Sequence, residues 1–155
     1  MEFGVAFSAN AIGFIGASQL TARLGAQFGM GRVVTTAAFF HAAFAVILFI
    51  ATAAGIDGLA VLIVLLFLSF AALGLVIPAT MVLALEEHGP IAGLASALGG
   101  TLQMVFGGIM IVVVSQVFDG TALPMVTAIA LCAVGALALS VATLRRRAFA
   151  PQAAE

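Results

Sequence analysis

Five apolar runs, separated by short breaks rich in glycine or charge, organise the chain. Residues 3–22, 33–55, 59–85, 90–117 and 122–144 contain no Asp, Glu, Lys or Arg. Each is about as long as, or longer than, the roughly 20 residues that carry a helix across a bilayer. The pattern predicts an all-α integral membrane protein with five transmembrane helices. The most informative run, Gly89 to Val117, reads GPIAGLASALGGTLQMVFGGIMIVVVSQV. In it Ala92, Ser96 and Gly100 recur every four positions, and Ala95, Gly99 and Gly107 fall on an adjoining face. Gly93 adds to the same small-residue side. Such spacing lets a neighbouring backbone come close, as membrane helix pairs require.

The breaks carry the turn chemistry. Arg23, Gly25, Gly29, Gly31 and Arg32 predict a tight basic turn between the first two helices. Asp57-Gly58 and Asp119-Gly120 mark two further turns. Glu86-Glu87-His88-Gly89-Pro90 introduces the fourth helix: Pro90 suits a first helical turn, and the two carboxylates suit its positive end. Pro78, inside the third run, removes one helical hydrogen bond and predicts a bend near the far end of that helix. Residues 1–147 then form one multi-spanning region and 148–155 a short tail.

Composition sharpens the class. The chain is 65% hydrophobic and 7% charged, against about 45–50% and 25% in soluble domains. A net charge of −1 supplies no basic face for phosphates and excludes a nucleic-acid partner. Cys132 stands alone in an apolar run, so it reads as a small buried hydrophobe, with no disulfide or metal framework. No HExxH, GxSxG or GxxxxGK[ST] pattern occurs, which leaves enzyme readings without their anchors; no cofactor is expected. Met1-Glu2-Phe3 lacks the basic start of a secretory signal, and the run behind it is too long for a signal core, so it predicts a retained helix.

Short loops rich in arginine stay in the cytoplasm. Arg23 and Arg32 lie in the first break, and Arg145, Arg146 and Arg147 follow the fifth helix. An odd number of crossings puts all five on one face, with a cytoplasmic C-terminus in the cell (inner) membrane. The start then lies outside, which predicts one or more helices upstream.

No carboxylate falls in a helix centre. His41 is the titratable group within the second helix; a neutral ring bonded to a neighbouring backbone is the first reading, and proton handling the second. Asn10 and Gln103 are amides at mid-depth. Each needs a partner from another helix or water in a cavity. Interhelical bonding is the first reading and substrate contact the second.

Three stretches resemble the C-terminal part of a major facilitator superfamily transporter of the Bcr/CflA-type drug-resistance branch. The run FSANAIGFIGASQLTARLGAQFG, Phe7 to Gly29, looks like that family's eighth helix and following loop. Arg23-Leu24-Gly25 matches part of its loop signature, with Ala22 where an acidic residue would complete it. Gly74 to Gly108 is similar to the tenth-to-eleventh helix region, with Pro78 and the pattern G-x-A-S-A-L-x-G-x-x-Q-M from Gly93 to Met104. DGTALPM, Asp119 to Met125, looks like the last outer loop. The resemblance implies helices eight to twelve of a twelve-helix, two-half fold, a partial C-terminal half. It implies export of drugs or small metabolites in exchange for protons, with the coupling carboxylates mostly in the other half. The expected partners are the lipid bilayer and that missing half. The alternative expectation is a small membrane protein without transport of its own, a packing partner or a homo-oligomer of identical copies.

Overall fold

The computed structural model describes residues 2–56, 58–86 and 89–149, apart from the side chains of 2–7, 9, 59 and 145–149. Five long helices follow in order: α1, Glu2–Phe28; α2, Met30–Ala53; α3, Leu59–Glu86; α4, Ala92–Gln116, led in by a single 3₁₀ turn at Gly89–Ile91; and α5, Leu123–Phe149. No strand occurs among the described residues. Four stretches are long and apolar enough to cross a membrane: Met30–Ala53, Ala60–Glu86, Gly89–Gln116 and Leu123–Leu144. This is the build of a membrane-embedded, multi-pass chain. The expected first span, residues 3–22, lies within α1, which is not among those four. The later part of α1 carries Ser18, Gln19, Thr21, Arg23 and Gln27.

The first break is shorter than its residues predict. Arg23 and Gly25 lie inside α1, and Gly31 and Arg32 inside α2, so the turn shrinks to Gly29. Gly29 has φ +84, and its N–H donates to the Gly25 carbonyl at 2.9 Å. This left-handed helix end suits glycine, which has no Cβ to clash. Arginine and glycine mark where the apolar stretch stops, but a helix can run on into the polar interface. For the same reason α5 continues to Phe149 rather than ending at Leu144. The expected tail, 148–155, falls mostly outside the described residues. Pro78 sits within α3, which runs as one helix from Leu59 to Glu86.

The packed unit is α1, α2, α3 and α5, with α2 against both α3 and α5 and α1 laid along α3. Its seams are built from small side chains. Ala42 and Ala45 of α2 meet Ala130 and Ala133 of α5, Ala37 and Ala38 meet Val76 of α3, and Val33 and Val34 meet Ala79. In lipid, apolar side chains gain little by leaving the solvent, so close van der Waals fit decides which faces pair. Large residues such as Ile12, Phe39, Ile111 and Leu139 point outward, as lipid-facing positions do.

Leu24, Met30, Leu83 and Leu144 pack around one core cluster. The end of α1, the start of α2 and the ends of α3 and α5 therefore meet at one end of the bundle, which carries Arg23, Arg32 and the backbone of residues 145–147. α4 stands apart from this unit: none of its residues is buried.

Candidate functional site

The polar centre of the packed unit joins α2 to α3. Ser69 is the one hydroxyl or amide residue between Leu59 and Ala79. It is 1% exposed. The Nδ1 atom of His41 lies 2.9 Å from the Ser69 hydroxyl and 3.0 Å from the Ser69 carbonyl oxygen. With its proton on Nε2 the ring accepts from the hydroxyl; with the proton on Nδ1 it donates to the carbonyl. Either tautomer satisfies that nitrogen inside the bundle. A double-mutant cycle with His41→Leu and Ser69→Ala should give a coupling of about 0.6 kcal/mol, with about 1.7 kcal/mol the upper limit for such membrane pairs. Reversible unfolding in mixed micelles measures it, and additive single-mutant effects would mean that the contact holds nothing together.

α1 presents two polar atoms of a different kind. Asn10 Oδ1 and Thr21 Oγ1 are buried without a hydrogen-bond partner. They are separated by 11 residues, about three helical turns, and so share a face. A buried hydroxyl without a partner costs about 1–3 kcal/mol, which a donor or a water from outside this unit would recover. Between them α1 and α3 make close contact. A Cβ on Gly74 would overlap the Phe14 carbonyl oxygen and lie 3.1 Å from its carbon. A Cβ on Gly13 would sit 2.6 Å from the Phe67 ring.

The small residues of α4 meet little. Nothing lies within 4 Å of a Cβ built on Gly93, Gly100 or Gly107, and Gly99 faces only the Met81 side chain at 3.6 Å. Ser96 is half-buried and Gln103 exposed, and Gln103 makes no hydrogen bond to the described residues. Asn10 and Gln103 therefore lie on separate helices, one half-buried in the packed unit with its Oδ1 covered and one on the open helix. Arg23 is exposed at the arginine-bearing end, and Gly25 leaves room for the folded-back Met30 side chain. Cys132, expected to be buried, is exposed on α5. Its face of the helix is the one turned away from the Ala130–Ala133 seam.

No protein-family profile, curated protein or solved structure matches the chain.

At the turn before α5, the Asp119 carboxylate accepts from the Thr121 hydroxyl at 2.6 Å and the Thr121 N–H at 3.0 Å. These bonds hold its carboxyl below the usual carboxylate range, the hydroxyl contributing most. Because the folded state favours the ionised form, the turn gains stability above the ordinary aspartate range and loses it as pH falls through the lowered value. The protection of the Thr121 amide against exchange, taken relative to the intrinsic rate at each pH, should fall on acidification below that range, and Asp119→Asn should remove this pH-dependent loss of protection.

Ser69, Thr21, Gly13 and Gly74 were not legible as a set in the sequence. Ser69 carried the clearest signal, as a lone hydroxyl in the middle of an unbroken apolar run. Gly13 and Gly74 are separated by 61 positions, and only the fold shows that they serve the same helix contact.

Proposed function

We propose that the chain is the part of a Bcr/CflA-type major facilitator transporter running from about the eighth to the twelfth helix, and that the intact protein exports a drug or small metabolite in exchange for protons. The observation that carries this reading is the state of α4: an apolar helix of spanning length with no buried residue, four of whose five glycines, Gly93, Gly100, Gly107 and Gly108, face open space and whose only amide, apart from Gln116 at its end, is Gln103. A helix so patterned is suited to packing against further helices. The resemblance of Gly93 to Met104 to the family's eleventh helix supports the same placement. In this reading α1 is the first of five spans, Asn10 and Gln103 face the substrate path between the two halves, and the arginine-bearing end is cytoplasmic by the positive-inside rule. His41 is held by Ser69 and acts as an interhelical tie.

The test is efflux in bacterial cells stripped of their own drug pumps. Joined to the preceding helices, the chain should lower ethidium accumulation, and an uncoupler that collapses the proton gradient should abolish the effect. Expressed by itself it should leave accumulation unchanged, and a C-terminal alkaline phosphatase fusion should be inactive. Efflux by the chain alone, or an active fusion, would overturn this placement.

The open face of α4 also favours a second reading, a non-transporting helix partner that packs against copies of itself. In a Cys132→Ala background, Gly100→Cys should form disulfide-linked dimers in native membranes if copies pair through α4. It should stay monomeric if the other transporter half covers that face.

A further inference from the structure

We infer that a groove running down from Arg32 is a site for a phospholipid with an anionic headgroup. The groove has a volume of about 420 Å³ and lies between the end of α1, one face of α2 and α3; Leu24, Phe28, Arg32, Thr36, Phe40 and Leu75 line it. This volume is within the range that holds small ligands. Its chemistry is graded along α2. Arg32, Thr36 and Phe40 are four residues apart in succession and so stack on one helix face.

Arg32 is exposed at the arginine-bearing end of the bundle, at the depth where headgroups begin. It makes no ion pair with the described residues, and no carboxylate lines the groove. Thr36 is exposed one turn deeper. Thr35, Thr52, Thr80, Thr101, Thr127 and Thr143 turn their hydroxyls onto carbonyls of their own helices. The Thr36 hydroxyl makes no such bond and is available to a phosphate or ester oxygen. Below it the walls are Phe40 and Leu75, while Phe28, the last residue of α1, borders the groove near the level of Arg32. From Arg32 to Phe40 is eight residues, about 12 Å of helix, against roughly 15 Å of hydrocarbon in one leaflet. A guanidinium above, a hydroxyl at the level of the glycerol esters and an apolar trough beneath match the order of charges and chains in an anionic lipid. Guanidinium binds phosphate in a fork of two hydrogen bonds, and the cytoplasmic leaflet is where anionic lipid is concentrated. This inference rests on the chain being membrane-embedded with its arginine-bearing end cytoplasmic, as in the reading above, and is independent of transport.

The chain contains no Trp and no Tyr, so Phe28→Trp places a single fluorophore at the groove. The purified full chain is reconstituted in vesicles in which either phosphatidylglycerol or phosphatidylcholine is brominated, and quenching gives the relative binding of the two lipids. Leu94→Trp, on the exposed start of α4, is the reference. The groove should prefer phosphatidylglycerol about fivefold, a factor equivalent to about 1 kcal/mol for one arginine near the surface. Arg32→Gln should bring the ratio to near one, Arg32→Lys should retain most of it, and the reference position should show none. Thr36→Phe, which fills the trough, should reduce quenching by both lipids. Equal quenching at the groove, a preference that survives Arg32→Gln, or the same preference at the reference position would each overturn the site. The last two would assign the effect to the general charge of that end of the bundle.

Discussion

Gly74→Leu is expected to separate α1 from α3 and to be the most damaging single substitution in the packed unit. A Cβ at this position meets the carbonyl group of Phe14, and a backbone cannot rotate aside as a side chain can. Overpacking of this kind costs about 1–3 kcal/mol for small additions, so Gly74→Ala should already lower the midpoint of unfolding in mixed micelles. Leucine should release α1 to protease while α2, α3 and α5 stay associated through their alanine seams. Gly13→Ala should cost less, because the Phe67 ring can turn away. Equal protease resistance of Gly74→Leu and the parent chain would show that the two helices do not need this close approach. Pro78 adds to the constraint. It has no N–H for the Gly74 carbonyl four residues earlier, so α3 is already short of one hydrogen bond where it touches α1.

Gly100→Leu should behave in the opposite way. With nothing within 4 Å of the added side chain, the chain by itself should lose less than about 0.5 kcal/mol, as surface substitutions do. In the complete transporter the same substitution should abolish drug efflux while leaving membrane insertion intact, because the bulk falls where another helix is proposed to slide. Ethidium accumulation and the amount of protein in the membrane measure the two effects separately. Unchanged efflux would remove the packing role from α4. A large loss of stability in the chain alone would show that α4 is packed within the chain after all.

These two glycines also divide what can be read along the chain from what cannot. Charge-free runs marked the positions of all five long helices, because a helix is a local object and each such run lies almost wholly within one. Their ends were less legible: Arg23, Gly25, Gly31 and Arg32 are helical, since the apolar limit and the helical limit need not coincide. The glycine periodicity of α4 pointed to a packing face, yet inside this chain close packing is carried by alanines on α2, α3 and α5 and by Gly13 and Gly74. The periodicity of small residues marks a helix face that permits close approach and does not name the helix that approaches it.

The candidate site divides along the same line. His41 could be picked out as the titratable side chain in an apolar helix, and Asn10 and Gln103 as amides at mid-depth, from residue type and position alone. That Ser69 would satisfy His41, that Asn10 Oδ1 and Thr21 Oγ1 would be buried without donors, and that Gln103 would stand on an open helix were settled by the packing of α1, α2, α3 and α5. The amino-acid sequence by itself determined a helical chain for the membrane and the charge of each end, because hydropathy and helix length are sums over neighbours in the chain. Which faces meet, which polar atoms find partners and which helix stays open were decided only in three dimensions. Those outcomes depend on contacts between residues tens of positions apart, and a single Cβ is enough to forbid one of them.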